Sequence, residues 1–384
     1  MVVCSLAIVL VFFIRCAGDS AGTGDPRGNQ YAGAEACKSC HKDVANSYTH
    51  DHHFNTSGPA DRHYLAGVIN PSNDTVHFRE GQMVVLSKQD SDFYQTSYKN
   101  NEQGRTQKID LAIGSAVKAQ TYLYWKESQL YQMPVTYLTN EKVWTNSPGF
   151  PIYQPFFTRV IPSRCLECHT SFVRSRQERD GAALRLKQVY EPASIVYGID
   201  CERCHGPAAN HVKFHQENPD VKEAKYITSS RSLSRQQKMD LCGTCHSGDP
   251  LKLRSIFNFL PGDTLTNYYM ISNVVSGEPD VHGMQSQLLQ QSKCFLKSEM
   301  TCINCHGPHN SAGNTAAIIT QCNSCHKQVT HTVDVKTTDN NCITCHMPLR
   351  PSKSLDFNNG TEAHTIQYML RTHRIAVYPK EIWK

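Results

Sequence analysis

Met300-Thr-Cys302-Ile-Asn-Cys305-His306-Gly-Pro-His309 contains the pattern on which this sequence turns, a Cys-x-x-Cys followed at once by histidine. The pattern recurs toward the C-terminus at Cys322-Asn-Ser-Cys325-His326 and Cys342-Ile-Thr-Cys345-His346. Toward the N-terminus it stands at Cys37-Lys-Ser-Cys40-His41, Cys165-Leu-Glu-Cys168-His169, Cys201-Glu-Arg-Cys204-His205 and Cys242-Gly-Thr-Cys245-His246. Seven copies consume fourteen of the 17 cysteines in a chain of 384 residues. Cysteine this abundant normally marks a small disulfide scaffold, and the chain is too long for that class. At 39% hydrophobic residues and a mean hydropathy of −0.48 it is no bundle of membrane spans either.

Each motif has the chemistry of a c-type haem attachment site. Two thiols three positions apart can form thioethers to one edge of a porphyrin, and the next residue then lies beneath the iron as an imidazole ligand. Zinc ribbons also use Cys-x-x-Cys pairs, but they have no reason to place histidine after every second cysteine. Thioredoxin-like redox chemistry needs one such motif, not seven. The expected cofactors are therefore seven covalent haems c, attached at the fourteen motif cysteines and ligated by His41, His169, His205, His246, His306, His326 and His346. The formal net charge is +5. Removal of Arg15 with the leader and addition of fourteen haem propionates, offset by seven ferric centres, bring the mature protein to roughly −3. The sequence pI of about 8.4 is thus no argument for nucleic acid as a partner.

Residues 1–14 form an apolar run that would reach only ~21 Å as a helix, against a hydrocarbon core of ~30 Å. With the small residues that follow, 1–18 reads as a signal peptide, and 19–30 has the composition of a flexible tether. Cys16 is either an acylated lipoprotein residue that would hold the protein to a membrane or part of an ordinary cleavage site. Export to the periplasm or outer cell envelope agrees with covalent haem. Residues 31–63 make a first haem-binding segment. The next motif starts 128 residues after the first, too far for a linker. Short aromatic and β-branched runs fill the gap, among them Met83-Val-Val-Leu86 and Thr121-Tyr-Leu-Tyr-Trp125, separated by turn-like stretches such as Asn100-Asn-Glu-Gln-Gly104. They predict an antiparallel β-meander of about five or six strands within a β-rich segment 64–160. Residues 161–384 form a haem-dense domain with six motifs, the last three only 20 residues apart and so expected as a close-packed run. Ser234-Arg-Gln-Gln237 predicts a capping box and a helix into Cys242, and a second helix is expected from His282 toward Cys294. The fold class is α+β: a mainly helical and irregular multihaem fold with an inserted β-meander.

Distal ligands decide between electron carrier and enzyme, because an iron with two protein ligands is saturated while an open sixth position admits substrate. Twelve of the 19 histidines lie outside the motifs. His309 is too close to its own motif to cap that haem and would serve a neighbour; similar logic applies to His211. His77 sits in an alternating strand and reads as surface. His63 and His215 have no distinguishing context. Met300 and Met347 adjoin motifs and are expected to pack against porphyrin. Cys294 has no evident disulfide partner; it is read as a small buried side chain, with an axial thiolate or a redox-active thiol as the other options.

The chain resembles the multihaem cytochromes of the cytochrome c554 type. The resemblance rests on Tyr31-Ala-Gly-Ala-Glu-Ala-Cys37 with Asp51-His-His53, on Ile113-Gly114 through Tyr131-Gln-Met-Pro-Val135, and on Gly198-Ile-Asp-Cys201 through Pro207. Asp280-Val-His282-Gly, Met300 through His309, Cys342 through Pro348 and Arg371-Thr-His373 extend it. It implies distal roles for His53, His211, His282, His309, His331 and His373, without pairing each to a haem, and leaves the seventh open among His364, His52, His50 and His215. The function so implied is electron transfer along closely spaced, mostly bis-histidine haems, with redox donor and acceptor proteins of the cell envelope as partners. The rival is an oxidoreductase acting on a small nitrogen or sulfur compound at one five-coordinate haem. No Cys-x-x-Cys-Lys variant supports a lysine-ligated site. A third option is a structural subunit of a haem-bearing filament.

Overall fold

The computed structural model describes residues 24–382 apart from 62–64, 66–68, 70–73, 152, 180, 182–185, 271–277, 311–314, 332–340 and 360–363. The expected signal peptide, Cys16, the first part of the tether and His63 lie outside these residues. Among them, no helix is long and apolar enough to cross a membrane.

Among the described residues eleven strands precede the second motif: β1 (Ser57–Pro59), β2 (Thr75–His77), β3 (Gln82–Gln89), β4 (Asp92–Lys99), β5 (Glu102–Lys108), β6 (Leu111–Ile113), β7 (Ala119–Lys126), β8 (Gln129–Gln132), β9 (Val135–Leu138), β10 (Val143–Asn146) and β11 (Arg159–Val160). They do not form the single meander expected. β2-β3-β4-β5 make a four-stranded antiparallel sheet, and a seven-stranded sheet runs β1-β6-β7-β8-β11, with β9 paired to β7 and β10 to β9. Strands of two to four residues such as β6, β8 and β11 are too short for alternation to reveal.

Period-two alternation shows in the longer sheet once its two faces are distinguished. Ala112, Tyr122 and Tyr124 point into a core shared with Val84, Leu86 and Phe93 of the smaller sheet. Leu111, Ile113 and Leu123 point the other way, into a second core. That second core takes in Leu166, which lies on the helix α3 (Ser163–His169) that carries the second motif. The sheet is therefore a platform on which one attachment site is seated.

Helices α1 (Ala34–Lys38) and α2 (Lys42–Tyr48) flank the break that carries Cys40 and His41. After α3 come α4 (Cys201–His205), α5 (Ala209–Glu217), α6 (Arg235–His246), α7 (Gln285–Gln290), α8 (Lys293–Leu296), α9 (Thr315–Cys325) and α10 (Cys342–His346). The expected capping box is present, with Ser234 Oγ accepting from the backbone of Gln237 and the Gln237 side chain accepting in return. The helix expected from His282 is shorter and is divided into α7 and α8 at Gln291-Ser292. Strand structure also enters the haem-dense part, which the sequence patterning did not predict. Ser175–Arg179 pairs with Leu186–Tyr190, and Leu349–Asn359 pairs with His364–Arg371 across an irregularity between Pro351 and Asp356.

The stretch expected as a tether is pinned from residue 24 onward. Arg27, with 4% of its side chain exposed, is paired to Asp25 at 2.8 Å, Asp200 at 2.6 Å and Glu202 at 3.1 Å. Burial alone would lower the Arg27 pKa; the hydrogen bonds and charges of Asp25 and Asp200 outweigh it and raise it. Glu202, an interior residue of the third motif, also accepts backbone N–H groups from Ala32, Gly33 and Ala208. One buried carboxylate thus ties the segment before the first motif to the third.

Candidate haem-binding centres

The helical turn at each motif fixes the position of the imidazole that follows. His169, His205, His246 and His346 each end a helix that also carries cysteines of their own motif. Residues between the cysteines, which the motif leaves free, link one motif to another. Glu167 of the second motif is 1% exposed and accepts from Lys252 at 3.1 Å and Ser255 at 2.8 Å. Arg203 of the third motif donates to the carbonyls of Ile256 and Glu167. Arg164, just ahead of the second motif, donates to the carbonyls of Thr244 and Gly248 at the fourth. Sequence reasoning missed these roles, because nothing in a Cys-x-x-Cys pattern says what its variable positions touch.

The motif histidines meet the distal candidates in pairs. Two imidazoles trans on one iron place their ring centroids about 6 Å apart, from two metal–nitrogen bonds of ~2.0 Å and the ring radii. His41 and His211 are stacked at 6.3 Å, His205 and His309 at 5.8 Å, and His306 and His373 at 6.1 Å. His246 faces His53 at 6.2 Å, nearly edge-on, and His346 faces His331 at 6.3 Å. His282 is close enough to His169 for its charge to act there, though burial is the larger influence lowering the His169 pKa. Among the described residues no candidate imidazole pairs with His326. The side chain of His364 lies outside them. His50 is exposed, its Nδ1 against the carbonyl of Asn46. His215 packs edge-on against His211 at 4.6 Å, and its Nε2 is buried without a hydrogen-bond partner.

Most of these rings are fixed at Nδ1, which leaves Nε2 free to face its partner. Carbonyl oxygens of Thr228, Lys225 and Ala376 hold His205, His211 and His346, each at 2.8 Å. Thr56 Oγ1 holds His169 at 2.8 Å, Asp51 Oδ1 holds His53 at 3.1 Å, and Ser354 Oγ and Gln285 Oε1 lie 3.3 and 3.4 Å from His282 and His246. Local burial lowers the pKa of His246, His282, His306 and His309, and brings His373 down to about 4, the direction that favours the neutral, metal-binding form. The backbone supports the same geometry. Ile199 N donates to His53 O, Ser47 Oγ donates to His309 O, and Ser292 Oγ donates to His373 O. Gly198 permits the first of these contacts. Its φ is +62°, and a Cβ there would lie 1.8 Å from the carbonyl oxygen of Phe54.

The motif cysteines, whose sulfurs stand where thioethers would form, also meet across motifs. Cys37 lies against Cys201, Cys168 against Cys245, and Cys242 against Cys302; in each pair the mutual hydrogen bond raises the first thiol and lowers the second. Cys204 is near Cys245, and Cys322 is near Cys342 and Cys305. Cys294, half-buried on α8, acts electrostatically on Cys305 and Cys322, both of which are raised chiefly by burial. Met300 packs beside Met239, Leu289 and Phe295. The two thiols of one motif with its paired imidazoles are the donor set a c-type haem would use; among the described residues no group of three or more His, Cys, Asp or Glu side chains gathers as a metal cluster.

Comparison with known proteins agrees with this chemistry. Residues 120–206 match the family model for cytochrome c554 and c-prime, a stretch holding the second and third motifs. Over 184 residues the chain is 26% identical to the multiheme cytochrome MtrA of Shewanella baltica (strain OS185), covering 43% of this chain. The chain spans about half, 52%, of that relative's length. In fold it is similar to the outer cell wall cytochrome OcwA, with a TM-score of 0.51 and 16% identity over 90% of this chain and 79% of that one. Residues 120–206 thus resemble the cytochrome c554 and c-prime family, and the chain is similar in sequence to a multiheme cytochrome.

Proposed function

We propose that this protein is an exported electron-transfer cytochrome with seven covalent haems c, one at each Cys-x-x-Cys-His motif, most of them held between two histidines. The observation that carries the reading is the set of five imidazole pairs at 5.8 to 6.3 Å, each joining a motif histidine to a histidine outside the motifs. When bound, haem c supplies one-electron chemistry, and its protein ligands tune the potential. The chain's part is to bind, orient and connect. His211, His309, His53, His373 and His331 occupy the distal positions of the first, third, fourth, fifth and seventh motifs, with His282 serving the second.

The order of passage follows the cysteines. Cys37 lies against Cys201 and Cys242 against Cys302, while Cys204 is near Cys245 and Cys322 is near Cys305 and Cys342, which orders the motifs one, three, four, five, six, seven. Cys168–Cys245 attaches the second motif as a branch at the fourth. Such a line suits a carrier exchanging electrons with redox proteins of the cell envelope at its two ends. Export is part of the proposal, as is a membrane tether at Cys16. The similarity in fold to an outer cell wall cytochrome supports an extracytoplasmic location.

Mass spectrometry of the mature protein tests the haem number, with seven haem additions expected. Electron paramagnetic resonance tests the ligands. His309→Ala should convert one low-spin centre to high spin, and an unchanged spectrum would remove His309 from the ligand set. A high-spin ferric signal in the resting wild type, together with carbon monoxide binding after reduction, would instead favour the substrate-converting oxidoreductase.

A further inference from the structure

One of the axial histidines is anchored differently from the others. Asp51 is 1% exposed, and its Oδ1 accepts both the backbone N–H of His53, at 2.9 Å, and the ring Nδ1–H, at 3.1 Å. His205, His211 and His346 have carbonyl oxygens in that place, His169 and His282 have hydroxyls, and His246 has the amide oxygen of Gln285. Among these Nδ1 partners Asp51 is the one carboxylate. A carboxylate at Nδ1 draws the proton and makes the imidazole a more basic ligand, which favours ferric over ferrous iron. Removal from water strengthens the effect, since charge acts further in a low dielectric.

We infer that Asp51 is a positioning residue that lowers the redox potential of a single centre, the one formed at the fourth motif by His246 and His53. The inference rests on the ligand pairing proposed above. The position gives the effect a purpose. Cys245 touches Cys168 and lies near Cys204, while Cys242 touches Cys302, so the fourth motif adjoins the second, third and fifth. A centre depressed at that junction governs how electrons divide between the main line and the branch.

The test uses the full seven-haem protein and two substitutions on opposite sides of the same centre. Asp51→Asn keeps an oxygen acceptor but removes the charge, and should raise one midpoint potential in a spectroelectrochemical titration while the other six stay in place. Gln285→Glu puts a carboxylate beside Nδ1 of His246, 3.4 Å away in the wild type, and should lower that same midpoint. Gln285 is only half-buried on α7, so this variant decides the matter even if Asp51→Asn fails to accumulate. Midpoints unmoved in the variants that accumulate, or moved at two different centres, would overturn the inference. His53→Ala separates the two levels. If it produces a high-spin haem while the other variants leave the potentials alone, the pairing stands and the tuning role falls; if it leaves every haem low-spin, the pairing itself fails.

Discussion

The sheets between Ser57 and Val160 and the motif-bearing part after Pro162 are held together by different physics. In the sheets, stability comes from side chains alternating across strands: Tyr122 and Tyr124 fill one core, Leu111 and Leu123 the other, all with 1% exposure or less. In the motif-bearing part such clusters are small, and the long-range links are polar: Arg27 to Asp200, Arg203 to the Ile256 carbonyl, Arg164 to the Gly248 carbonyl and Lys252 to Glu167. A chain that reserves its interior for porphyrin has few apolar side chains left to pack on one another. Charged groups from interior and flanking positions of the motifs do the connecting instead.

The largest effect expected from breaking this contrast is at Arg27. Arg27→Ala would leave Asp25, Asp200 and Glu202 buried together without their cation, a loss of about 3–5 kcal/mol. Denaturant unfolding followed in the haem absorption should register it. A loss below about 1 kcal/mol, the ordinary figure for an exposed pair, would mean that the cluster is solvated and the contrast is wrong. Next comes Leu123→Ala, a cavity in the second core, costing about 2–5 kcal/mol according to how far the site relaxes. Because that core includes Leu166 of α3, unfolding of the sheet and loss of the second centre's absorption should coincide. Two separate transitions would make the sheet an independent unit.

The same contrast explains what could be read from the sequence. The motifs and the capping box at Ser234 were legible because each is written within five residues. The six distal histidines implied by family resemblance stand as proposed ligands. Their partners were not legible, since His53 meets a ring 193 positions away in sequence and His41 one 170 away. The sheet region was legible as β structure but not as two sheets, because β6 belongs to two cores through alternate residues of a three-residue strand. The pinning of residues 24–30 was hidden by composition. Gly, Asp and Pro read as a linker until the buried carboxylates of Asp200 and Glu202 are seen to require Arg27.

The smallest effect sharpens the comparison most, because it concerns a helix that starts seven residues ahead of its motif, on a side-chain cap that owes nothing to haem. Ser234 caps α6, and Ser234→Ala removes the acceptor for Gln237 N, at 3.2 Å, at a cost of about 1 kcal/mol. The residue is exposed, so no packing changes with it. α6 ends at His246, and Met239 on the same helix packs with Leu289 and Phe295. Fraying of its first turn should therefore spread little: a shift of about 1 kcal/mol in overall stability, with the fourth centre remaining low-spin. If the low-spin signal of that centre is lost as well, α6 depends on its own cap for its position, and the polar links from Arg164 to the Thr244 and Gly248 carbonyls are too weak to hold the motif in place.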